Sequence, residues 1–383
     1  MNFPSNLAIT SVLTAAYIII FPVALSANIL LIYIVLKRPT MKTTTNYLFA
    51  NMAAVNLLVA VFIMPYAIKS LYVADVWFEG VLGEISCRLV HFAYGISIAG
   101  SIFSLTAISL DQFYAILFPM KRIAVIRNTR FITGLIWISS VVLMSPYLAM
   151  FGVRETTRSQ HECIYVVVSR VITEIHYSLL FVFLYAFPLL LIATLYILIG
   201  RKLWFRTVRG NIHSIHRQAA EMSKRRVIRM LVIVIATFSF CWLPVHAFHM
   251  CTAFEPHLIR NMASYWWLLI VFFAHANSAV NPCLEIALNR KFRAEFFKLW
   301  TDWRTFSMQY FRKTAHEEPG CQRDPGRSNC KMRRFKSVEN IFEGIARKRG
   351  RLYDLNPQTT ICQPSSISLV QFTYFNKALE TDN

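Results

Sequence analysis

The chain has 383 residues, of which 56% belong to the hydrophobic set and only 16% are charged. Soluble domains usually carry about 25% charged residues, so this composition excludes an ordinary soluble globular protein. The formal net charge is +20, which would indicate a nucleic-acid partner only if the basic residues formed one patch.

Seven apolar segments are each long enough to cross a lipid bilayer, which takes roughly 20 residues. They cover about 12–36, 46–72, 85–110, 131–151, 172–199, 227–252 and 264–288. No alternating strand pattern and no glycine-rich phosphate loop interrupts them. The sequence therefore predicts an all-α membrane protein whose residues 12–288 form a seven-transmembrane helix bundle.

The basic residues fall in alternate loops. The richest groups are Lys37, Arg38 and Lys42 after the first span; Lys121, Arg122, Arg127 and Arg130 after the third; and Arg201, Lys202, Arg206, Arg209, Arg217, Lys224, Arg225, Arg226 and Arg229 after the fifth. Loops rich in Lys and Arg stay in the cytoplasm. This distribution predicts that the short N-terminal segment 1–11 lies outside the cell and the tail lies inside. The charge is then explained by topology, and no nucleic-acid partner is expected.

The residues after the seventh span form two further predicted segments. In NRKFRAEFFKLW (289–300), Phe292, Phe296 and Trp300 recur every fourth residue opposite a basic face. This pattern predicts a short amphipathic eighth helix lying along the membrane surface. From residue 301 the periodicity fades, so 301–383 is predicted to be a cytoplasmic and mostly disordered tail.

Two of the eight cysteines, Cys87 and Cys163, fall on the outer side of this topology. Because that side is oxidising, a disulfide between them is expected, with two free thiols as the alternative. Within the spans, Pro146, Pro188 and Pro244 are each expected to kink a helix, as is Pro282 in the seventh. Kinked spans are also found in transporters and channels, so this feature alone leaves those classes open.

Several motifs together resemble the rhodopsin-like family of G-protein-coupled receptors between about Asn28 and Trp300. They are Asn28 in the first span, Trp137 in the fourth, Pro188 with Tyr196 in the fifth, CWLP (241–244) in the sixth and Asn281-Pro282 in the seventh. The closest resemblance is to neuropeptide receptors of the neuropeptide Y, RFamide and tachykinin type. It implies a plasma-membrane receptor that binds an extracellular peptide and activates a heterotrimeric G protein through outward movement of the sixth helix.

The resemblance assigns an activation switch but also shows three departures from the family pattern. The assigned residues are Asp111, Gln112, Tyr196, Phe238, Trp242, Pro244, Asn281, Pro282 and Glu285. Gln112 stands where the family has an arginine, Asn56 where it has an aspartate, and Glu285 where it has a tyrosine. In the family this arginine forms a local pair in the resting receptor, and we expect that restraint to be weaker with Gln112. We also expect sodium-insensitive agonist binding, because Asn56 is neutral. Glu285 is expected to pair with Arg290, Lys291 or another cation. The alternative is a receptor that binds ligand without coupling or signals constitutively.

Helical spacing places candidate ligand contacts on one face of each of three spans. They are His91, Tyr94 and Ile98; Trp242, His246 and His249; and Trp267, Val271 and His275. In the family these faces line the outer cavity, although a histidine within a membrane serves in packing about as often as in binding. Tyr94 replaces the aspartate of aminergic receptors and His275 replaces the lysine of opsins, so both classes are disfavoured.

The remaining partners follow from the resemblance. Tail residues Thr359, Thr360, Ser365, Ser366 and Ser368 are candidate sites for a receptor kinase and hence for arrestin. The second class of function considered is a transporter or channel, which would carry charges deep in several spans and a repeated pair of broken helices. No catalytic constellation is evident in the spans, so no enzyme activity, cofactor or metal is expected.

Overall fold

The computed structural model describes residues 7–118, 128–155, 160–166, 169–204, 213–260 and 264–316. The predicted phosphorylation sites, the basic residues Lys121, Arg122 and Arg127, and residues 1–6 lie outside the described residues. The chain divides into two units, Met1–Tyr310 and Phe311–Asn383. The first contains the helix bundle, and of the second only residues 311–316 are described, as helix.

Seven helices in the described residues are long and apolar enough to cross a membrane. They span Ala8–Lys37, Thr44–Val73, Gly80–Leu117, Thr129–Met150, Arg170–Lys202, Arg225–Phe254 and Trp266–Leu288, and are called here the first to the seventh helix. Each overlaps one predicted span, so the predicted seven-helix membrane fold is confirmed. The third helix extends beyond its predicted segment at both ends because polar residues such as Asp111 and Gln112 continue it past the apolar stretch.

Prolines divide some of these helices into shorter pieces. The second consists of Thr44–Leu58, a π-helical turn at Val59–Ile63 and Met64–Val73; the fourth of Thr129–Met144 and Tyr147–Met150; and the fifth of Arg170–Phe181, a π-helical turn at Val182–Ala186 and Phe187–Trp204. Pro65 and Pro188 each lie two residues after the end of a π-helical turn. A proline lacks the N–H that the helix ladder needs, and an inserted residue accommodates that loss.

The last two helices of the bundle contain their prolines without a break. The sixth helix belongs to a continuous helix, His213–Phe254, that includes Pro244, and the seventh to Ser264–Leu288, which includes Pro282. Two short helical segments, Pro39–Met41 and Pro256–Arg260, lie in connecting loops.

The third helix lies at the centre of the bundle. Of its most apolar stretch, 67% is buried inside the protein, compared with 28% for the first and fifth helices and 22% for the fourth. It packs against the second, fourth and fifth helices. Gly95 allows close approach of the fourth helix, because a Cβ there would lie 2.7 Å from the Met144 sulfur. Residues of the third helix are therefore placed to contact most of the bundle.

An antiparallel hairpin that the sequence does not predict follows the fourth helix. Its strands are β1, Phe151–Glu155, and β2, His161–Tyr165, with Val153 paired to Cys163. Val76, before the third helix, forms an isolated bridge with Glu162. The backbone of Trp77 donates to the His161 carbonyl at 2.7 Å, so the loop before the third helix extends this small sheet.

A helix of 27 residues, Arg290–His316, follows the seventh helix. It begins at Arg290, one residue after the predicted start at 289, and continues well beyond the predicted end at Trp300. Phe292 is fully buried in the core, whereas Trp300 is 52% exposed. Its placement along a membrane surface remains a prediction.

Candidate functional site

The disulfide Cys87–Cys163 joins the beginning of the third helix to β2, with 5.7 Å between the two Cα atoms. This confirms the pairing expected from the topology. The backbone N–H of Cys163 also donates to the Asp75 carbonyl at 2.8 Å. The hairpin is thus held across one end of the bundle by a covalent bond and by backbone hydrogen bonds. We call this end the disulfide end.

Aromatic and charged contacts fix the loop that precedes the third helix. The Trp77 indole N–H contacts the Gly83 carbonyl at 3.0 Å and the Ser86 hydroxyl at 2.9 Å. The Lys69 ammonium lies 5.0 Å from the centroid of the Trp77 ring and donates to the Ala74 carbonyl at 3.1 Å. These contacts give Trp77 a structural role in the loop before the third helix.

Two acidic residues at the disulfide end, Glu84 and Asp75, differ in their surroundings. Glu84, in the third helix, accepts hydrogen bonds from the Val153 backbone at 2.6 Å and from Arg88 Nε at 2.9 Å. Asp75 is exposed to solvent as a whole residue, but partial desolvation of its carboxyl raises the pKa of this group above the usual value. The Lys69 ammonium acts to lower this pKa, and the Glu162 carboxylate raises it further.

His91, a predicted ligand contact, lies directly beneath the hairpin. Its ring stacks on Phe151 with centroids 3.8 Å apart, and Nδ1 is hydrogen-bonded to the Cys87 carbonyl at 2.9 Å. Cys87, His91 and Cys163 also form the one group in the described residues whose ligand atoms lie close enough to hold a metal ion. Both sulfurs are consumed by the disulfide, so this group is not a metal site. The contacts favour a packing role for His91.

Tyr94, Trp242 and His275 come together one to two turns deeper, from the third, sixth and seventh helices. The Tyr94 ring lies 5.5 Å from that of His275 and 6.1 Å from that of Trp242, centroid to centroid. Tyr17 of the first helix is hydrogen-bonded to His275 Nδ1 at 2.9 Å. Sequence reasoning missed Tyr17, because this contact joins residues 258 positions apart.

These residues carry buried polar atoms with no hydrogen-bond partner among the described residues. They are the Tyr94 hydroxyl, Trp242 Nε1 and His275 Nε2. A buried donor or acceptor without a partner costs about 1–3 kcal/mol. An arrangement that keeps three such atoms together is suited to a bound molecule with polar groups, and we call it the aromatic floor.

A second cluster connects the fifth and sixth helices. Tyr177 stacks on His249 with ring centroids 4.6 Å apart, and Tyr185 lies 4.9 Å from His246. His176 lies 5.4 Å from Tyr147 of the fourth helix. Sequence reasoning found His246 and His249 but missed their partners on the fifth helix. Counting helical turns back from Pro188 would not have placed these partners, because the π-helical turn Val182–Ala186 lies between and changes the rotation of the helix.

The other predicted ligand contacts lie around these clusters. Trp267 packs on Phe248 at 4.3 Å between ring centroids, Ile98 is 4% exposed, and Val271 is half-buried. The structure therefore brings Tyr94, Trp242 and His275 into one group, and His246 and His249 into a neighbouring one. Whether any of them binds a ligand remains a prediction.

Buried amides connect the helices in the middle of the bundle. Asn28 donates to the carbonyl of Ser278 at 2.9 Å, and Asn56 donates to Asn28 Oδ1 at 3.4 Å. The Ser101 hydroxyl donates to Asn56 Oδ1 at 3.3 Å. Asn281, in contrast, has no partner in the described residues for either side-chain atom. Asn56 thus acts as a neutral connector between the first, second and third helices.

Asp111, Gln112 and Tyr196, among the predicted switch residues, lie toward the opposite end of the bundle. The Thr45 hydroxyl donates to Asp111 and accepts from Gln112 Nε2 at 3.0 Å. Tyr196 and Ser109 are hydrogen-bonded through their hydroxyls at 3.2 Å. Phe238 is fully buried and lies 5.9 Å from Trp242, ring to ring.

The expected ion pair of Glu285 with Arg290 or Lys291 is not formed. Glu285 is 1% exposed, and within the described residues neither carboxylate oxygen has a hydrogen-bond partner. Its side chain belongs to the buried face of the seventh helix, whereas Arg290 and Lys291 are exposed. The expectation was wrong because hydropathy does not define how a helix is rotated about its axis.

Seven apolar helices, a disulfide-tied hairpin at one end and a buried polar network define a multi-pass membrane protein of the seven-helix receptor class. Residues 27–284 match the 7 transmembrane receptor (rhodopsin family). The chain belongs to this family. It is accordingly a signalling receptor and not an enzyme.

Several curated relatives are similar over most of the chain. A QRFP-like peptide receptor of Branchiostoma floridae is 29% identical over 297 residues, which cover 74% of this chain and 76% of the relative. A neuromedin-K receptor of Oryctolagus cuniculus is 31% identical over 73% of this chain and 59% of its own length. The human (Homo sapiens) substance-P receptor is 26% identical over 74% and 69%. The chain thus spans less than two thirds of the neuromedin-K receptor.

Proposed function

We propose that this protein is a plasma-membrane receptor for an extracellular peptide and activates a heterotrimeric G protein through outward movement of its sixth helix. The relatives are named as receptors for peptides, which supports the ligand class. The single observation that carries the proposal is the aromatic floor, where Tyr94, Trp242 and His275 keep buried polar atoms without partners. Because the chain belongs to a family of receptors, the alternative of a transporter or channel is set aside.

The orientation follows from charge. The richest basic loops lie at the end of the bundle that carries Asp111, so this end faces the cytoplasm and the disulfide end faces outward. An oxidising exterior also suits the Cys87–Cys163 bond. Protease protection of intact cells tests this: the basic segment holding Lys224–Arg226 should resist cleavage until the cells are opened.

The charges around the disulfide end favour a ligand with a basic part. Glu84 and Glu174 are already paired with Arg88 and Arg170, at 2.5 and 2.8 Å. The Glu79 side chain is 80% exposed, and its distance of 3.8 Å to His161 is long for an ion pair. Glu79 is therefore a carboxylate through which a Lys or Arg of the peptide would be held.

The floor beneath favours an uncharged, polar and aromatic end of the ligand. Its residues offer one hydroxyl, one indole N–H and one imidazole nitrogen, but no carboxylate or ammonium. Trp242 connects this group to the sixth helix, two residues before Pro244. Ligand contact there shifts the receptor between states only if its affinity for them differs.

The decisive experiment is a peptide-library screen on cells that express this chain together with a promiscuous G protein. Binding is measured on the same cells. We expect a peptide that both binds and signals, and loss of its potency in Tyr94→Ala and Glu79→Gln. Phe78→Leu, on the neighbouring exposed residue, is the matched control. Absence of any binding peptide from a comprehensive library contradicts the proposal.

A second candidate, a receptor that binds without coupling or signals constitutively, is favoured by one observation. Gln112 is engaged with Thr45 of the second helix rather than carrying a charge toward the sixth. Binding without signalling in the same screen identifies the silent form, and peptide-independent signalling identifies the constitutive form. Recruitment of a receptor kinase and arrestin through tail residues Thr359–Ser368 is part of the primary proposal and is tested by arrestin recruitment after ligand addition.

A further inference from the structure

We propose that a groove between the fifth and sixth helices, at the disulfide end of the bundle, binds one phosphatidylcholine molecule of the surrounding bilayer. We call it the lateral groove. Its lining includes Glu174, Ile175, Leu179, Val182 and Phe183 of the fifth helix and Phe254 of the sixth. Its volume is about 530 Å³, within the roughly 300–1,000 Å³ of pockets that hold small molecules.

The first argument is the apolar wall of the groove. Ile175, Leu179 and Val182 recur at helical spacing and share one face of the fifth helix. Their side chains and that of Phe183 are 44–54% exposed. The fifth helix is one of the seven that are apolar enough to cross a membrane, so this exposed wall contacts hydrocarbon rather than water. A concave wall of this kind suits an acyl chain.

The second argument is the length of the wall. Nine residues separate Glu174 from Phe183 along the fifth helix, which corresponds to about 13 Å at about 1.5 Å per residue. Half of a bilayer's hydrocarbon core is about 15 Å thick. The wall therefore has the length of the acyl region of one leaflet, with Glu174 at the end where the lipid headgroups lie.

The third argument is the charge at that end. Arg170 Nε donates to Glu174 at 2.8 Å, and the two side chains are 72% and 28% exposed. A guanidinium carries several N–H donors, so the bond to Glu174 leaves others for a phosphate oxygen. A phosphocholine headgroup carries a phosphate and a quaternary ammonium next to each other. Arg170 and Glu174 together present the two complementary charges.

Phe254 supplies the contact that favours choline. It is the last residue of the sixth helix, is 47% exposed, and lines the same groove as Glu174. A quaternary ammonium binds favourably over the face of an aromatic ring. Glu174 and Phe254 thus offer the ammonium a carboxylate and a ring. An anionic lipid would bring its phosphate to Glu174 without this compensation, and a sterol has no group for Arg170.

A bound lipid would contact both the fifth and the sixth helix, which pack against each other at this end. A ligand that binds only the folded state stabilises it. We therefore expect phosphatidylcholine to raise the unfolding temperature of the receptor in detergent. This property requires no peptide and no G protein, so its measurement is independent of the proposed signalling function.

The test uses the full chain, purified in detergent and freed of phospholipid. Phosphatidylcholine, phosphatidylglycerol and cholesterol are added singly at equal concentration, and native mass spectrometry counts the molecules retained per chain. We expect one phosphatidylcholine to be retained at higher occupancy than either other lipid. Equal retention of all three lipids, or stronger retention of phosphatidylglycerol or cholesterol, overturns the proposal.

Two variants locate the acyl chain. Leu179→Trp fills the lateral groove and should weaken retention of phosphatidylcholine by about fivefold or more, since overpacking is costly. Ile138→Trp is the matched control, because Ile138 is a 65% exposed residue of the fourth helix, outside the groove. The unfolding temperature of each variant without lipid shows whether it is folded. Equal retention by folded Leu179→Trp and by the wild type contradicts the proposal.

Two further variants test the headgroup. Phe254→Leu keeps the groove apolar but removes the ring, and should weaken phosphatidylcholine retention by about two- to fivefold. Glu174→Gln removes the partner of the ammonium and releases Arg170, so the preference for phosphatidylcholine over phosphatidylglycerol should fall or reverse. A purely structural role of Glu174 would change the retention of both lipids alike. Glu155→Gln, at an exposed acid of β1, is the control and should leave the preference unchanged. An unchanged preference in Glu174→Gln overturns the headgroup assignment.

Discussion

The side-chain amide of Gln112 donates a hydrogen bond of 3.0 Å to the hydroxyl of Thr45, which in turn donates to Asp111. One hydroxyl of the second helix thus holds two neighbouring residues of the third. All of these bonds can form without a cation at position 112. The strength of this connection is the first property that mutation can test.

Gln112→Arg places a cation next to Asp111, and hydrogen bonds between charged groups are about twice as strong as neutral ones. We expect lower basal signalling from this variant at equal surface expression. Thr45→Val removes the shared hydroxyl without adding charge, and we expect it to raise basal signalling. Basal and ligand-driven G-protein activation are measured in the same cells. No change of either quantity in Gln112→Arg would contradict a role for this position in the switch.

Glu295 connects the helix after the seventh to the turn after the first. Its carboxylate lies 3.1 Å from Arg38 Nε and 3.2 Å from Lys298 Nζ, and it accepts from the Thr40 hydroxyl at 3.3 Å. The Arg38 contact is an ion pair rather than an aligned hydrogen bond, because Nε has no partner of acceptable geometry. The Glu295 side chain is only 9% exposed, so solvent screens these contacts weakly.

Glu295→Leu should therefore lower stability by about 2–3 kcal/mol, since breaking a buried pair leaves the partner charge uncompensated. The measurement is the unfolding temperature of the purified receptor in one detergent. Asp302→Asn is the control: Asp302 lies 3.6 Å from Arg38 Nη2, but its side chain is 59% exposed. An exposed pair contributes little, and we expect a change below about 0.5 kcal/mol. Equal effects of the two substitutions would show that burial does not govern this cluster.

Glu285 gives the opposite prediction for the same substitution. It is as buried as Glu295, but neither of its oxygens has a partner in the described residues. Replacing an unpartnered buried polar group by an apolar one removes a cost of about 1–3 kcal/mol. Glu285→Leu should thus raise the unfolding temperature while Glu295→Leu lowers it. A fall in both variants would indicate that Glu285 has a binding partner in the membrane.

Asn56 predicts how agonist binding responds to sodium. It is 2% exposed and bonded to Asn28 and Ser101, all of which are neutral. Hard cations need carboxylate oxygens, so we expect equal agonist affinity in sodium and in matched potassium buffer. Asn56→Asp supplies the missing carboxylate and should make affinity fall in sodium alone. A clear sodium effect on the wild type would refute this explanation.

The predictable part of this structure is the part that local sequence determines. The length of an apolar segment identifies a membrane helix, and helical spacing placed Tyr94, Trp242 and His275 on inward faces. The outer location of Cys87 and Cys163 was enough to predict their bond. These inferences use residues close in sequence or a topology defined by charge.

The rest depends on how helices are rotated and paired, which hydropathy does not encode. The contacts of Tyr17 with His275 and of Trp77 with the hairpin join distant segments. His176 was missed because its ring contact with Tyr147 joins two different helices. Glu285 was predicted to pair with Arg290, Lys291 or another cation, whereas the rotation of the seventh helix buries it at 1% exposure.

Asp75 makes stability depend on pH. Partial desolvation raises the pKa of its carboxyl, the Lys69 ammonium opposes this, and the Glu162 carboxylate adds to it. The folded state therefore binds a proton at Asp75 more tightly than the unfolded chain does. Stability from this residue is present below the pKa of the unfolded chain and is lost as the pH rises through the raised pKa of the folded state.

Asp75→Asn removes this titration and keeps a polar side chain of the same shape. We expect the variant to be more stable than the wild type above the raised pKa and to lose that advantage as the pH is lowered below the usual range of an aspartate. Unfolding temperatures of both proteins across this range provide the measurement. Glu79→Gln is the control, because the Glu79 side chain is 80% exposed. An advantage of Asp75→Asn that stays constant with pH would show that titration of this carboxyl is not the source of the effect.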